Sequence, residues 1–151
     1  AFNKDRFMRD IGPGCEAEVQ QLERWTNALM AKDFDVLEDV LHPEFQFTVD
    51  PKYAGGRLRK AGFIAFDRKI KECSIDLLSV TARKMGDQMI TTLVMAELTE
   101  EFEGDLGPDM PSAAEMKDVM TGARMAYGSG WKKGDDGEWQ CFSHHIFGFI
   151  E

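Results

Sequence analysis

The sequence predicts an α+β fold, and three observations predict it. Helical periodicity fills the first half of the chain. From Ser74 onward it gives way to long stretches of strand periodicity joined by turn signals. Helices that precede a run of hairpin-connected strands are segregated from the sheet rather than alternating with it. The last strand carries apolar residues on both parities, with Trp139, Cys141 and Phe147 on one and Phe142, Ile146 and Ile150 on the other. Such a sheet is covered on both faces. The helices suffice for one face, so the outer face is expected to meet a second copy of the chain as a homodimer.

Residues 1–14 are polar, end in Gly12-Pro13-Gly14 and read as an N-terminal arm; residues 15–151 read as one domain. The first helix is expected from Cys15 to Lys32, because Val19, Leu22, Trp25 and Leu29 recur every three or four residues. Glu16 and Glu18 fall in its first turn, where the helix dipole favours acids. Asp33-Phe34-Asp35 breaks the pattern. A short helix follows on Val36, Leu37, Val40 and Leu41, with Asp35 and Glu38 spaced as in a capping box. Pro43 ends that helix. Phe45, Phe47 and Val49 then alternate with Gln46, Thr48 and Asp50 as a strand. A third helix is expected from Leu58 to Glu72 on Ala61, Phe63, Phe66 and Ile70. Ile75–Met85 and Gln88–Phe102 form a hairpin about Gly86-Asp87. Residues 103–114 read as a loop, Glu115–Lys132 as a strand, Gly134–Gly137 as a turn and Glu138–Ile150 as the last strand.

The totals exclude several functions. With 27 acids against 18 bases the formal charge is -9, a surface that repels nucleic-acid backbones and anionic membranes. No apolar run approaches the ~18 residues a membrane-spanning helix needs. The three cysteines, Cys15, Cys73 and Cys141, are far apart and odd in number, neither a disulfide framework nor a zinc spacing. A reducing, cytoplasmic setting without metal or cofactor is expected. His144-His145 is no metal pair, because adjacent strand residues point to opposite faces. Asp33 with Asp35 and Asp105 with Asp109 read as caps and solvated loop charge. Gly128 and Gly130 are expected to mark a bulge that bends the sheet.

Three words of the chain carry a resemblance. Arg24–Asp35 closes the first helix, Leu41-His42-Pro43-Glu44-Phe45-Gln46-Phe47-Thr48-Val49-Asp50-Pro51 forms a strand ending in an acid before proline, and Trp131–Trp139 forms a closing hairpin. In this order they resemble the nuclear-transport-factor-2-like superfamily, which includes ketosteroid isomerase, scytalone dehydratase and SnoaL-like polyketide cyclases. The resemblance covers about residues 15–151. It implies a cone-shaped, bent antiparallel sheet wrapped around a pocket closed by three helices, and a small apolar molecule as ligand. It does not choose among activities, because one fold hosts many.

The resemblance places the isomerase's general base at Asp50. A carboxylate against apolar walls is pushed toward useful basicity at neutral pH; the structural alternative is an acid that opens a turn before Pro51. Trp25 stands where the isomerases carry an oxyanion-binding Tyr, and its indole N–H donates one hydrogen bond without being an acid. Ser129 stands near their second oxyanion acid. Both departures argue against steroid isomerisation as such, and Tyr127 or Tyr53 is the substitute hydroxyl donor. The hairpin match points Phe142, His144 and Ile146 into the pocket and Trp139, Cys141, Ser143 and His145 outward. His144 suits proton transfer near neutrality, or is a hydrogen-bonded core or interface histidine. The expected site therefore has Asp50, His144 and Tyr127 as catalytic groups and Trp25, Tyr53, Phe63, Phe142 and Ile146 as ligand-binding ones. Isomerase, dehydratase or cyclase chemistry is one reading. A non-catalytic ligand-binding or subunit-interaction protein is the other.

Overall fold

The computed structural model describes residues 8–50, 56–108 and 110–150. Among them the order is β1 (Met8–Ile11), α1 (Glu16–Ala31), α2 (Phe34–Val40), β2 (Leu41–Val49), β3 (Arg57–Arg59), α3 (Lys60–Asp67), β4 (Ile70–Met85), β5 (Met89–Phe102), α4 (Ala113–Val119), β6 (Ala123–Lys133) and β7 (Trp139–Phe149). The strands form one curved, unclosed sheet in the order β1-β4-β5-β6-β7-β2-β3. The four long strands β4 to β7 are antiparallel neighbours, as their hairpin signals require. The flanking pairs β1–β4 and β2–β7 are parallel.

The α+β class and the bent sheet are as the sequence predicts; several boundaries are not. Part of the presumed arm is β1, which lies along β4 with Met8 opposite Ser79. Helix α2 is capped by Asp33, whose side chain accepts the Val36 N–H at 3.4 Å, so Asp35 lies inside the first turn and is no cap. Strand β2 starts at Leu41, already extended, and absorbs Pro43 where its register against β7 shifts between Leu41 and Gln46. Helix α3 stops at Asp67, since pairing of Ile70 with Phe102 recruits residues 70–74 into β4. Within residues 113–122, expected as loop and strand, lies α4. Its start is a complete capping box: Glu115 N–H donates to Ser112 Oγ at 3.1 Å and Ser112 N–H to Glu115 Oε1 at 3.3 Å.

The core lies between the helices and the concave face of the sheet. Val19, Leu22 and Trp25 of α1, Leu37 and Val40 of α2, and Phe63 of α3 meet Phe45, Leu77, Val94, Trp131 and Cys141 of the strands. Gln21 fixes α1 to the sheet, its Nε2 donating to the buried Trp139 carbonyl at 2.8 Å.

The irregularities of β6 and β7 decide which side chains face inward. Gly130 pairs with Ser143 but Trp131 with Cys141, leaving Phe142 as the extra residue; Tyr127 pairs with Ile146 but Ala126 with Gly148, leaving Phe147 extra. Both extra rings stand on the outer face, over the glycines. A Cβ at Gly130 would lie 2.9 Å from Phe142, and one at Gly128 2.9 Å from Phe147. The two glycines thus make room for bulges carried by the partner strand. The first bulge also reverses the parity upstream of it: Trp139 and Cys141 are buried in the core, although the alternation read from sequence points them outward.

Candidate functional site

Strand β6 sets Tyr127, Ser129 and Trp131 on the inner face, and the register brings Ser129 opposite His144 of β7. Ser129 Oγ and His144 Nδ1 are 2.8 Å apart and both side chains are buried. Aromatic rings enclose the imidazole, with centroids at 4.8 Å (Trp25), 5.0 Å (Tyr127), 5.9 Å (Phe47) and 6.4 Å (Phe63). Desolvation, helped by the charge of His145, pushes the His144 pKa down to about 3. His144 is therefore neutral at physiological pH, and can bind hydrogen-bond partners but is a poor proton carrier. Burial first, and then the charge of Glu100, raises the Tyr127 hydroxyl well above its ordinary pKa, so it stays protonated as a donor. The Trp25 indole N–H is buried in this cluster without a hydrogen-bond partner. A buried donor left unpaired costs about 1–3 kcal/mol, a cost that a ligand oxygen would remove.

Asp50 follows the last residue of β2. Its N–H donates to the Ile146 carbonyl at 3.0 Å, continuing the ladder in which Phe47 faces His144 and Val49 faces Ile146. Asp50 is half-buried. Its neighbour Thr48 bonds His145 at 2.7 Å, across the sheet face opposite His144. The structure brings Trp25, Phe63, Tyr127 and His144 together, with Ile146 level with Tyr127. It does not bring Phe142 to them: the bulge turns that ring outward, where Lys132 Nζ sits 4.9 Å from its centroid. Tyr53 lies outside the described residues.

Three acids that the sequence reading did not single out as site residues are buried or half-buried. Glu18, fully buried, has neither carboxylate oxygen hydrogen-bonded, and burial raises its pKa to about 8. Asp67 closes α3 with Oδ2 unpartnered; burial, then the charge of Glu100, raises it well above the ordinary range. Glu100, on β5 opposite Cys73, is raised to about 7 by desolvation. Two grooves of about 430 Å³ open on the surface, one along α1 at Gln20, Arg24 and Asn27, the other at Met30, Cys73, Thr99 and Lys117. Neither is lined by Asp50 or His144.

No family model and no curated protein matches the chain. Solved structures do. An NTF2-like protein from Cytophaga hutchinsonii superposes with a TM-score of 0.70 at 17% identity, covering 90% of this chain and 98% of that one. The chain has the nuclear-transport-factor-2-like fold. A putative ketosteroid isomerase from Shewanella frigidimarina shares the NTF2-like fold with it at TM-score 0.65 and 13% identity, covering 91% of this chain and 98% of that one. So does a CaMKII hub from S. rosetta, at TM-score 0.66 and 16% identity, covering 92% and 98%. Identities this low establish the fold and leave the activity to the site.

Signals for the three acids were present in the chain. Glu18 lies three residues after Cys15 and four before Leu22, a slot on the apolar stripe of α1. Asp67 lies four after Phe63. Glu100 shares the inward parity of Ala96, Leu98 and Phe102, all buried. A charged residue on an apolar face is the informative exception in any burial pattern.

Proposed function

We propose that this NTF2-like chain binds a small apolar molecule bearing a carbonyl or hydroxyl oxygen in the aromatic interior around His144. We further propose that it acts on that molecule as an isomerase, dehydratase or cyclase. The observation that carries the reading is the Trp25 indole N–H, buried without a partner beside the neutral imidazole of His144, whose ring the Tyr127 phenol also flanks. Neutral donors in a desolvated interior suit an oxygen that gains negative charge when a proton leaves the adjacent carbon. In this reading Asp50, which follows β2, is the base, and Tyr127, His144 and Trp25 steady the oxyanion. Phe47, half-buried, is the ring that gives way to the ligand. Asp50→Asn in an activity screen against small cyclic ketones and hydroxy-ketones tests it; unchanged turnover removes Asp50 as base.

The second reading is a non-catalytic subunit-interaction protein, and the outer sheet face favours it. Leu93, Met95 and Phe147 stand exposed there at 43%, 40% and 50%. A second copy covering this face makes the homodimer, which both readings accommodate. No helix among the described residues is long and apolar enough to cross a membrane. Three free cysteines fit a reducing, cytoplasmic setting, which is part of the proposal.

A further inference from the structure

One rung of the inner sheet face carries three polar side chains. Ala82, Thr92, Ser129, His144 and Phe47 stand opposite one another across β4, β5, β6, β7 and β2. Thr92, Ser129 and His144 are buried. Their polar atoms fall into two separate hydrogen bonds. Thr92 Oγ1 accepts the Trp131 indole N–H at 3.1 Å, and Ser129 Oγ meets His144 Nδ1 at 2.8 Å. The other imidazole nitrogen, Nε2, has no hydrogen-bond partner among the described residues.

A neutral imidazole has one nitrogen that donates and one that accepts, and a serine hydroxyl can play either part. Two arrangements therefore fit the 2.8 Å contact. In one, Ser129 O–H donates to Nδ1 and the ring proton sits on Nε2. In the other, Nδ1–H donates to Oγ and the Ser129 proton needs a different acceptor. A second atom within reach of Ser129 Oγ is the Cys141 sulfur, a weak acceptor whose own S–H donates to the Ser143 carbonyl at 3.3 Å. The imidazole nitrogen is the stronger acceptor, and a desolvated interior favours the better-satisfied bond. The Ser129 proton therefore goes to Nδ1.

We infer that Ser129 is a positioning residue that holds His144 as an Nε2–H donor, so that the interior selects a carbonyl oxygen over the matching alcohol; this selectivity rests on the oxygen-binding reading above. A carbonyl oxygen only accepts, and Nε2–H satisfies it. An alcohol accepts the same bond but brings a proton that needs an acceptor of its own. Of the four rings around the imidazole, Trp25, Phe47 and Phe63 supply no acceptor, and Tyr127 supplies its phenol oxygen. The alcohol must reach that oxygen or leave its proton unbonded, which weakens its binding. With the opposite tautomer Nε2 would accept, and the preference would reverse.

Two measurements on the intact protein test this. Long-range proton–nitrogen correlation spectra of the free protein read the His144 tautomer without any ligand. The wild type should carry the ring proton on Nε2 alone. In Ser129→Ala a population with the proton on Nδ1 should appear; in Ser129→Thr, which keeps the hydroxyl, it should not. Calorimetric titration with cyclohexanone and cyclohexanol reads the selectivity. The wild type should bind the ketone at least ~10-fold tighter, Ser129→Ala should lose at least ~3-fold of that ratio, and Ser129→Thr should keep it. A wild-type proton on Nδ1, or a tautomer unmoved in Ser129→Ala, overturns the role of Ser129, because a merely structural serine alters stability and not the ring proton. Equal affinity for ketone and alcohol overturns the selectivity. Binding of neither probe overturns the selectivity together with the oxygen-binding reading, while the free-protein spectrum still decides what Ser129 does to His144. Should Ser129→Thr not fold, the wild type and Ser129→Ala decide both points.

Discussion

Ser129 of β6 and His144 of β7 occupy one rung of the sheet, Oγ and Nδ1 2.8 Å apart beneath a lid of Trp25. With Nδ1 occupied, the imidazole has one nitrogen, Nε2, left for a ligand. The His144 pKa, near 6.5 when unfolded, is pushed down to about 3 in the fold. The unfolded chain therefore binds the extra proton first. The stability due to neutral His144 is complete above about pH 6.5 and is lost as pH falls from there toward 3. Proton NMR of the imidazole should show no titration of His144 between pH 8 and 5. Ser129→Ala, which leaves Nδ1 buried and unpaired, should cost roughly 1–3 kcal/mol in urea unfolding. A His144 resonance that titrates near pH 6 would contradict the neutral-donor role.

Glu18 gives the opposite pH dependence. Its carboxyl is held protonated by burial, with a pKa of about 8, so the folded state is the one that holds the extra proton. Its contribution is whole below the unfolded carboxyl value, about 4.5, and declines as pH rises toward 8. Glu18→Gln keeps the shape and cannot ionise. The variant should match the wild type at pH 4 and exceed it at pH 8 by on the order of 3 kcal/mol. Melting temperatures across that range measure the difference; parallel curves would mean that Glu18 reaches a counter-charge or solvent.

The contrast between His144 and Phe142 shows what the sequence could and could not reveal. Alternation correctly placed His144 inward, because from His144 to Ile146 the strand is regular. It failed at Phe142, Cys141 and Trp139 because one extra residue opposite Gly130 inverts parity, and a bulge leaves no mark on strict period-two counting. The glycines were legible as a bulge signal, but the bulged strand was their partner. Likewise Ser112 and Glu115 spelled a helix start inside what Gly and Pro made look like loop. The acids at 18, 67 and 100 were masked by their residue type: a carboxyl is assumed solvated until its neighbours are known.

The outer sheet face should bury itself in a dimer. Leu93 pairs with Gly128, beneath Phe147, and Met95 stands two residues along on the same face. Leu93→Glu sets a charge in the middle of that patch without touching the core, since Leu93 is 43% exposed. Native mass spectrometry should give a dimer for the wild type and a monomer for Leu93→Glu, with little change in thermal stability of the monomer. A wild type that stays monomeric at micromolar concentration would leave the exposed apolar row without a second copy to cover it.

Trp25→Phe separates the indole N–H from the ring that carries it. Phe fills less space, so a small cavity costs about 1–3 kcal/mol; loss of the unpaired donor repays part of this. The net change in stability should thus be small for a core tryptophan. Binding of an oxygen-bearing ligand should nevertheless weaken by roughly 10-fold, one hydrogen bond's worth, while a hydrocarbon analogue of the same outline binds as before. Equal losses for the two ligands would make Trp25 a packing residue only.

Asp50→Asn tests the base directly. The substitution keeps size and polarity and leaves untouched the backbone bond to the Ile146 carbonyl at 3.0 Å. The fold and the ligand affinity should therefore hold, the first by circular dichroism and the second by titration. Removing a general base at a carbon acid should lower kcat by about 10²–10⁴-fold with KM nearly unchanged, because the lost interaction exists only as the proton moves. If kcat and KM both stay at wild-type values, proton abstraction belongs to another group. If binding falls together with kcat, Asp50 is holding the ligand instead of deprotonating it.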